Sequence, residues 1–169
     1  QNAAIAKVFP DISTGEAQYN TAHGYHAAGM DITTGDANTV VGYESGKLIT
    51  TGDYNTALGA ESLTTLVDGS NNTAIGYRAG YTNQTGSGNV FIGYLAGSGA
   101  NTDVANKLFI ANSADSTPLI YGDFSNNTVT INDDLTVADD LIVAGNATVT
   151  GNITTQSGNI TTQSGNITT

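Results

Sequence analysis

Asn72-Thr73-Ala74-Ile75-Gly76-Tyr77-Arg78-Ala79-Gly80 is one copy of a unit that recurs along the chain. The same pattern runs from Asn38 to Gly46 and from Asn89 to Gly97, with looser copies starting at Asn55 and Asn20. Asn38, Asn55, Asn72 and Asn89 are 17 residues apart, and Asn20 precedes Asn38 by 18. A fixed period of this size marks a solenoid, in which each unit buries its apolar face only against its neighbours.

Alternation along an extended stretch decides which way side chains point. One face of the repeat carries Thr39 and Val41, Thr56 and Leu58, Thr73 and Ile75, Val90 and Ile92, then Leu108 and Ile110. The other carries Val40, Ala57, Ala74, Phe91 and Phe109. The first set is expected to fill the coil and the second to meet another subunit. Gly24, Gly42, Gly59, Gly76 and Gly93 follow the strands, where a turn needs positive φ or close backbone approach. Gly35, Gly52, Gly69 and Gly86 mark an opposite corner. The expectation is two short strands and two turns per coil. At about 4.8 Å per coil, five to six coils give a body roughly 25 Å tall.

Composition removes several function classes. The net charge is -11, and the four basic residues, Lys7, Lys47, Arg78 and Lys107, are scattered. A nucleic-acid footprint needs clustered cations, and so does an anionic membrane surface. No cysteine is present, which removes disulfides and thiolate metal sites. No apolar run approaches the roughly 20 residues of a membrane helix. The N-terminus lacks the basic and apolar regions of a signal peptide. The chain begins at Gln1 rather than Met, which is compatible with a signal already removed.

Four segments follow from the pattern. Residues 1–19 form a lead-in or cap, with a short strand or helix over Ala3–Phe9 that Pro10 ends. Residues 20–112 are the repeat body, with Lys107 taking the Asn position 18 residues after Asn89. Residues 113–132 read as a β connector, with strands at 119–124 and 128–131 joined by Ser125-Asn126-Asn127. Residues 133–169 carry a second repeat, of six residues from Asp133 and of seven from Gly151. A heptad suggests a coiled coil. Here each has one apolar residue, and its Gly costs about 1 kcal/mol against Ala in a helix. One short strand per repeat cannot bury itself either, whereas three chains wound together can.

The Asn-Thr-Ala-Ile-Gly-Tyr-x-Ala-Gly pattern of residues 20–112 resembles the head repeats of YadA-type trimeric autotransporter adhesins. It also resembles repeats in tail-fibre proteins of phages and phage-like contractile injection particles. The period departs from the adhesin head repeat, which is nearer 14 residues, and the adhesin-type neck sequence is missing. The run from Leu108 to Asn132 is similar to connectors that lead into a shaft, and residues 133–169 resemble triple β-helical shafts. The resemblance implies an all-β fold: a trimeric parallel β-roll or β-solenoid head with ~17-residue coils, then an intertwined triple β-helical shaft. Ile153, Ile160 and Ile167 would face the common axis as the trimer core.

It further implies a structural, adhesive homotrimeric fibre, extracellular, that attaches a particle to a host surface. The partners would be a cell-surface glycan or protein receptor and a baseplate or tail component. The alternatives are a bacterial trimeric surface adhesin or matrix protein and, from a third class, a glycan-degrading tailspike. The chain stops inside a repeat at Gly165–Thr169, and chains of this organisation resemble ones continuing into a receptor-binding tip or a cleaved chaperone.

No constellation for catalysis or metal binding stands out. His23 and His26 are the only histidines, without a supporting carboxylate pattern; an end-of-stack histidine is the plainer reading. Asp133-Asp134 and Asp139-Asp140 offer the hard oxygens calcium takes but not its loop spacing, so solvated turns compete with a calcium site. No cofactor is otherwise expected. The glycines lack the Gly-Lys-Ser/Thr of a phosphate loop. Glu16, Glu44 and Glu61 are the only glutamates, and Glu44 falls at a variable, exposed repeat position. Sequons such as Asn83-Gln84-Thr85 and Asn152-Ile153-Thr154 are generated by the repeats themselves. Tyr25, Tyr43, Tyr77 and Tyr94 recur once per unit and should form a ladder. Such a ladder suits carbohydrate binding and equally a subunit contact.

Overall fold

The computed structural model describes residues 6–8, 17–28, 32–99, 104–114 and 116–151. It is all-β, with nine strands in one sheet in chain order. The strands are β1 (Ala6–Val8), β2 (Thr21–His23), β3 (Thr39–Val41), β4 (Thr56–Leu58), β5 (Thr73–Ile75), β6 (Val90–Ile92), β7 (Lys107–Ile110), β8 (Ile120–Asp123) and β9 (Thr128–Ile131). From β2 to β7 the pairing is parallel and stays in repeat register, so Thr39, Thr56 and Thr73 stand one above another. This is a β-solenoid.

Each coil holds one strand, not two. The remainder of each coil runs through turns. His26, Glu44, Glu61, Arg78 and Leu95 take left-handed conformations there, with φ between 52° and 57°. That geometry interrupts extended backbone. Coil-to-coil bonding persists without it: Thr50 N–H donates to the Val67 carbonyl at 2.9 Å, and Val67 N–H to that of Gln84 at 2.8 Å.

The strand faces are the reverse of the sequence expectation. Ala22, Val40, Ala57, Ala74 and Phe91 are inside, each 2 % exposed or less. Leu58, Ile75 and Ile92 point outward. The asparagines set this phase. Asn20, Asn38, Asn55, Asn72 and Asn89 are buried, and alternation then carries the residue two places on inward as well. Burying an amide is tolerated only when its hydrogen bonds are made. Asn38 Oδ1 accepts from the Asn55 backbone N–H at 2.9 Å, and Asn38 Nδ2 donates to the Gly52 carbonyl at 2.8 Å. Asn55 and Asn72 repeat the pattern, bonding Gly69 and Gly86, and Lys107 N–H ends the ladder on Asn89 Oδ1.

The lumen is narrow, so sizes compensate between the strand and the turn side. Val40 lies against Gly46, whose added Cβ would meet it at 2.7 Å. Small Ala57 shares its coil with Leu63, which is fully buried. Phe91 occupies the space that side chains at Gly80 and Gly97 would take, at 2.7 and 2.2 Å. Ile49, Leu66, Ala79 and Ala96 complete this core. Glycine is obligatory at Gly76 for two reasons: φ is 132°, and a Cβ would lie 2.4 Å from the Gly93 carbonyl oxygen.

Both ends of the stack change pairing direction. β1 runs antiparallel to β2, so the expected lead-in is a strand at Ala6–Val8. β7, β8 and β9 form an antiparallel meander. Tyr121 meets the Phe109 ring edge-on at 5.3 Å, and Lys107 Nζ pairs with Asp123 at 2.8 Å across the β7–β8 register.

The chain divides into two compact units, Gln1–Leu135 and Thr136–Thr169. The described part of the second, 136–151, contains no strand. Leu141, Ile142 and Val149 there are more than half exposed. Ile153, Ile160 and Ile167 lie outside the described residues.

Candidate functional site

The outward side of β2–β6 presents vertical columns one repeat apart. The first is mainly threonine: Thr21, Thr39, Thr56, Thr73, then Val90. The second is His23, Val41, Leu58, Ile75 and Ile92, so His23 stands exposed at the end of an aliphatic column. Beyond the glycine corner stand Tyr25, Tyr43, Tyr77 and Tyr94, each more than a third exposed. Leu58 is 48 % exposed and Ile75 40 %, values that belong to a surface and not to a lumen.

The expected tyrosine ladder is two pairs. Tyr25 stacks on Tyr43 at 5.7 Å, and Tyr77 on Tyr94 at 5.6 Å. Ala60 takes the place between them. His26 also stacks on Tyr25, at 4.0 Å.

Next to the tyrosines runs a column of charge. Glu44 bonds Lys47 at 3.0 Å, with His26 Nδ1 3.8 Å away; its side chain is only 19 % exposed, contrary to its expected exposure. Lys47 holds the Glu44 carboxyl below its usual range, while Glu44 raises both the Lys47 ammonium and the Tyr43 phenol. Arg78 binds Glu61 through Nε at 2.8 Å and Nη2 at 2.7 Å, which raises the guanidinium further. Its guanidinium also lies 5.2 Å from the Tyr77 ring centre and 5.0 Å from that of Tyr81. Lys47, Arg78 and Lys107 are therefore each committed to an acid. The surface offers paired cations and surplus carboxylates.

Among the described residues no group of three or more His, Cys, Asp or Glu is placed to hold a metal ion. His23 and His26 do not converge with carboxylates as ligands would. Asp133, Asp134, Asp139 and Asp140 are all exposed, and Asp134 N–H donates to Asp133 Oδ1 at 2.9 Å. Of the glutamates, Glu44 and Glu61 are held in ion pairs, and Glu16 lies outside the described residues. No described helix is long and apolar enough to cross a membrane.

Two further tyrosines escape a reading based on the repeated motif. Tyr19 and Tyr54 sit at the corner before the strand, with φ of 58° and 57°, and are 74 % and 64 % exposed. The same corner in later coils carries Asn71, Gly88 and Asn106, residue types that favour positive φ. A tyrosine in a turn-residue column was the available signal.

No protein-family model, curated protein or solved structure matches the chain.

Proposed function

We propose that the chain is one protomer of a homotrimeric extracellular fibre that attaches a phage or phage-like injection particle to a host surface. The carrying observation is the outward column Val41, Leu58, Ile75 and Ile92 flanked by stacked tyrosines. A contiguous apolar strip of this kind on a polar, acidic chain is a protein contact surface. Neighbouring copies would cover it around one axis, as closed cyclic assemblies do. The exposed aliphatic residues of 136–151 point the same way, because winding with two further copies would bury them. Attachment then works by multivalency: three weak sites on one assembly raise avidity without tight single contacts.

Sedimentation equilibrium tests the assembly. The expected species has three times the 17.2 kDa chain mass, and a 17.2 kDa particle at micromolar concentration overturns the reading. Leu58→Lys with Ile75→Lys should lower the mass while the β signal stays. The attachment role predicts that purified protein competes with the particle for host cells; undiminished adsorption at saturating protein would refute it.

A further inference from the structure

We infer that Tyr19, Ala37 and Tyr54 form a slot for one ring of a neutral saccharide, with Asp36 and Asp53 as its hydrogen-bonding partners. The inference deepens the attachment reading by naming a receptor chemistry. It rests on that reading for its purpose but not for its geometry.

The three residues occupy one column at the corner before the strands. Ala37 N–H bonds the Gln18 carbonyl, and Tyr54 N–H bonds that of Asp36, both at 2.9 Å, so the column climbs one coil per step. Tyr19 and Tyr54 are two steps apart, about 9.6 Å at the usual strand spacing. The methyl of Ala37 leaves the level between them open. A ring seated there lies about 4.8 Å from each tyrosine, inside the roughly 4.5–7 Å range of ring contacts.

The tyrosines are not explained by the fold. Their positive φ is unfavourable for a bulky residue, and at 74 % and 64 % exposure they gain little burial for it. Strained, exposed aromatics of this kind are the outliers from which function is inferred. The Tyr25–Tyr43 and Tyr77–Tyr94 pairs differ, since each of those rings already has a face on its neighbour.

The adjoining column supplies the polar half. Asp36 Oδ1 accepts the Gln18 N–H at 2.6 Å, and Asp53 Oδ1 accepts the Asp36 N–H at 2.8 Å. Each carboxylate is thereby fixed through one oxygen and keeps a second for a hydroxyl. In coils 4 and 5 the column continues as Ser70 and Ser87, which do the same backbone work without charge. The acids are thus an addition to what the stack requires. Two carboxylates beside the slot select hydroxyl donors and repel uronates and sulfated sugars. Lys47, Arg78 and Lys107 are engaged in ion pairs and supply no anion contact.

The chain has no tryptophan and eight tyrosines, so tyrosine fluorescence reports binding directly. The full chain is titrated with neutral tetrasaccharides of β-linked glucose, α-linked mannose and N-acetylglucosamine, and with a tetragalacturonate. At least one neutral saccharide should saturate the signal, with the uronate weaker. Tyr19→Asn and Tyr54→Asn suit the left-handed corner, so they should fold as well as the parent yet bind roughly tenfold more weakly. Ala37→Tyr should close the slot. The inference falls if no neutral saccharide binds, if the uronate binds better, or if Tyr54→Asn binds like the parent. Loss at Tyr77→Ala with none at Tyr54→Asn also overturns it, in favour of the stacked pairs. A trimer that binds no saccharide removes this slot alone; a monomer that binds through Tyr54 removes the fibre reading alone.

Discussion

The solenoid and the segment after Leu135 place similar residues in opposite environments. In the solenoid a residue as small as Ala74 is completely buried, while in the segment Ile142 is 86 % exposed. Hydrophobicity does not separate them; the presence of a partner does. Each solenoid coil finds its partner 17 residues away in its own chain, in a register the Asn ladder fixes. The six- and seven-residue repeats are too short to turn back on themselves, so burial there requires other chains under the trimeric reading.

That contrast breaks most visibly at Phe91. It is the largest fully buried side chain, and it fills the space above two glycines. Phe91→Ala should destabilise the roll by about 3–5 kcal/mol, read by urea unfolding of the β signal. A loss below about 1 kcal/mol would mean that the lumen collapses around the gap and that tight packing is not what separates the two regions.

Asn55→Ala comes next. It removes the acceptor for Asn72 N–H and Nδ2 and the donor to the Gly69 carbonyl, all in a dry lumen. Leaving such groups unpaired costs about 1–3 kcal/mol for each one that water cannot reach. Asn55→Asp should be no milder, since a carboxylate keeps the acceptor but loses the donor and buries charge. Unfolding midpoints of the two variants test this together, and an Asp variant as stable as the parent would show that water enters the ladder.

The repeat period, the parallel register and the glycine corners were legible because they are properties of spacing. Which face points inward was not. Thr39 and Val41 look like a better core pair than Val40 alone, and hydropathy favours them. The decision belongs to Asn38, whose amide has partners only inside, and one residue's hydrogen bonds then override the aliphatic pattern of the strand. The expected second strand failed for a local reason. Glu44, Glu61 and Arg78 are not turn formers, yet backbone bonds to adjoining coils hold them at positive φ. The stacked tyrosines were expected as one ladder, and a single alanine, Ala60, divides them. Tyr19 and Tyr54 were overlooked because they fall just outside the conserved-looking block within each repeat.

A smaller effect should appear at the end of the stack. Lys107, with help from Asn126, holds the Asp123 carboxyl down, from 3.8 to about 2. The unfolded chain therefore takes up a proton at higher pH than the folded one. The stabilisation from this pair is fully present above about pH 4 and is lost as pH falls from there towards 2. Amide exchange in β7 and β8 should quicken over that interval, and Asp123→Asn should make it flat. The Asn variant following the parent's acid profile would assign the effect to another carboxylate.

The smallest change is expected where the side chain is large and aliphatic. Ile142→Ser removes more apolar surface than Val40→Ser, and transfer energies alone rank it as the costlier substitution. The structure ranks them the other way. Val40 is fully enclosed, and a hydroxyl there leaves both a gap and an unpaired polar group. Ile142 belongs to the other compact unit and stands in water within its own chain. Its replacement should move the roll's unfolding by no more than about 0.5 kcal/mol. Any effect should instead register in the mass of the assembly, as weaker association at low concentration. A roll transition that shifts by more than this, in a chain held monomeric by Leu58→Lys and Ile75→Lys, would mean that the segment packs on its own solenoid. The contrast between a self-templated region and one that needs partners would then be lost.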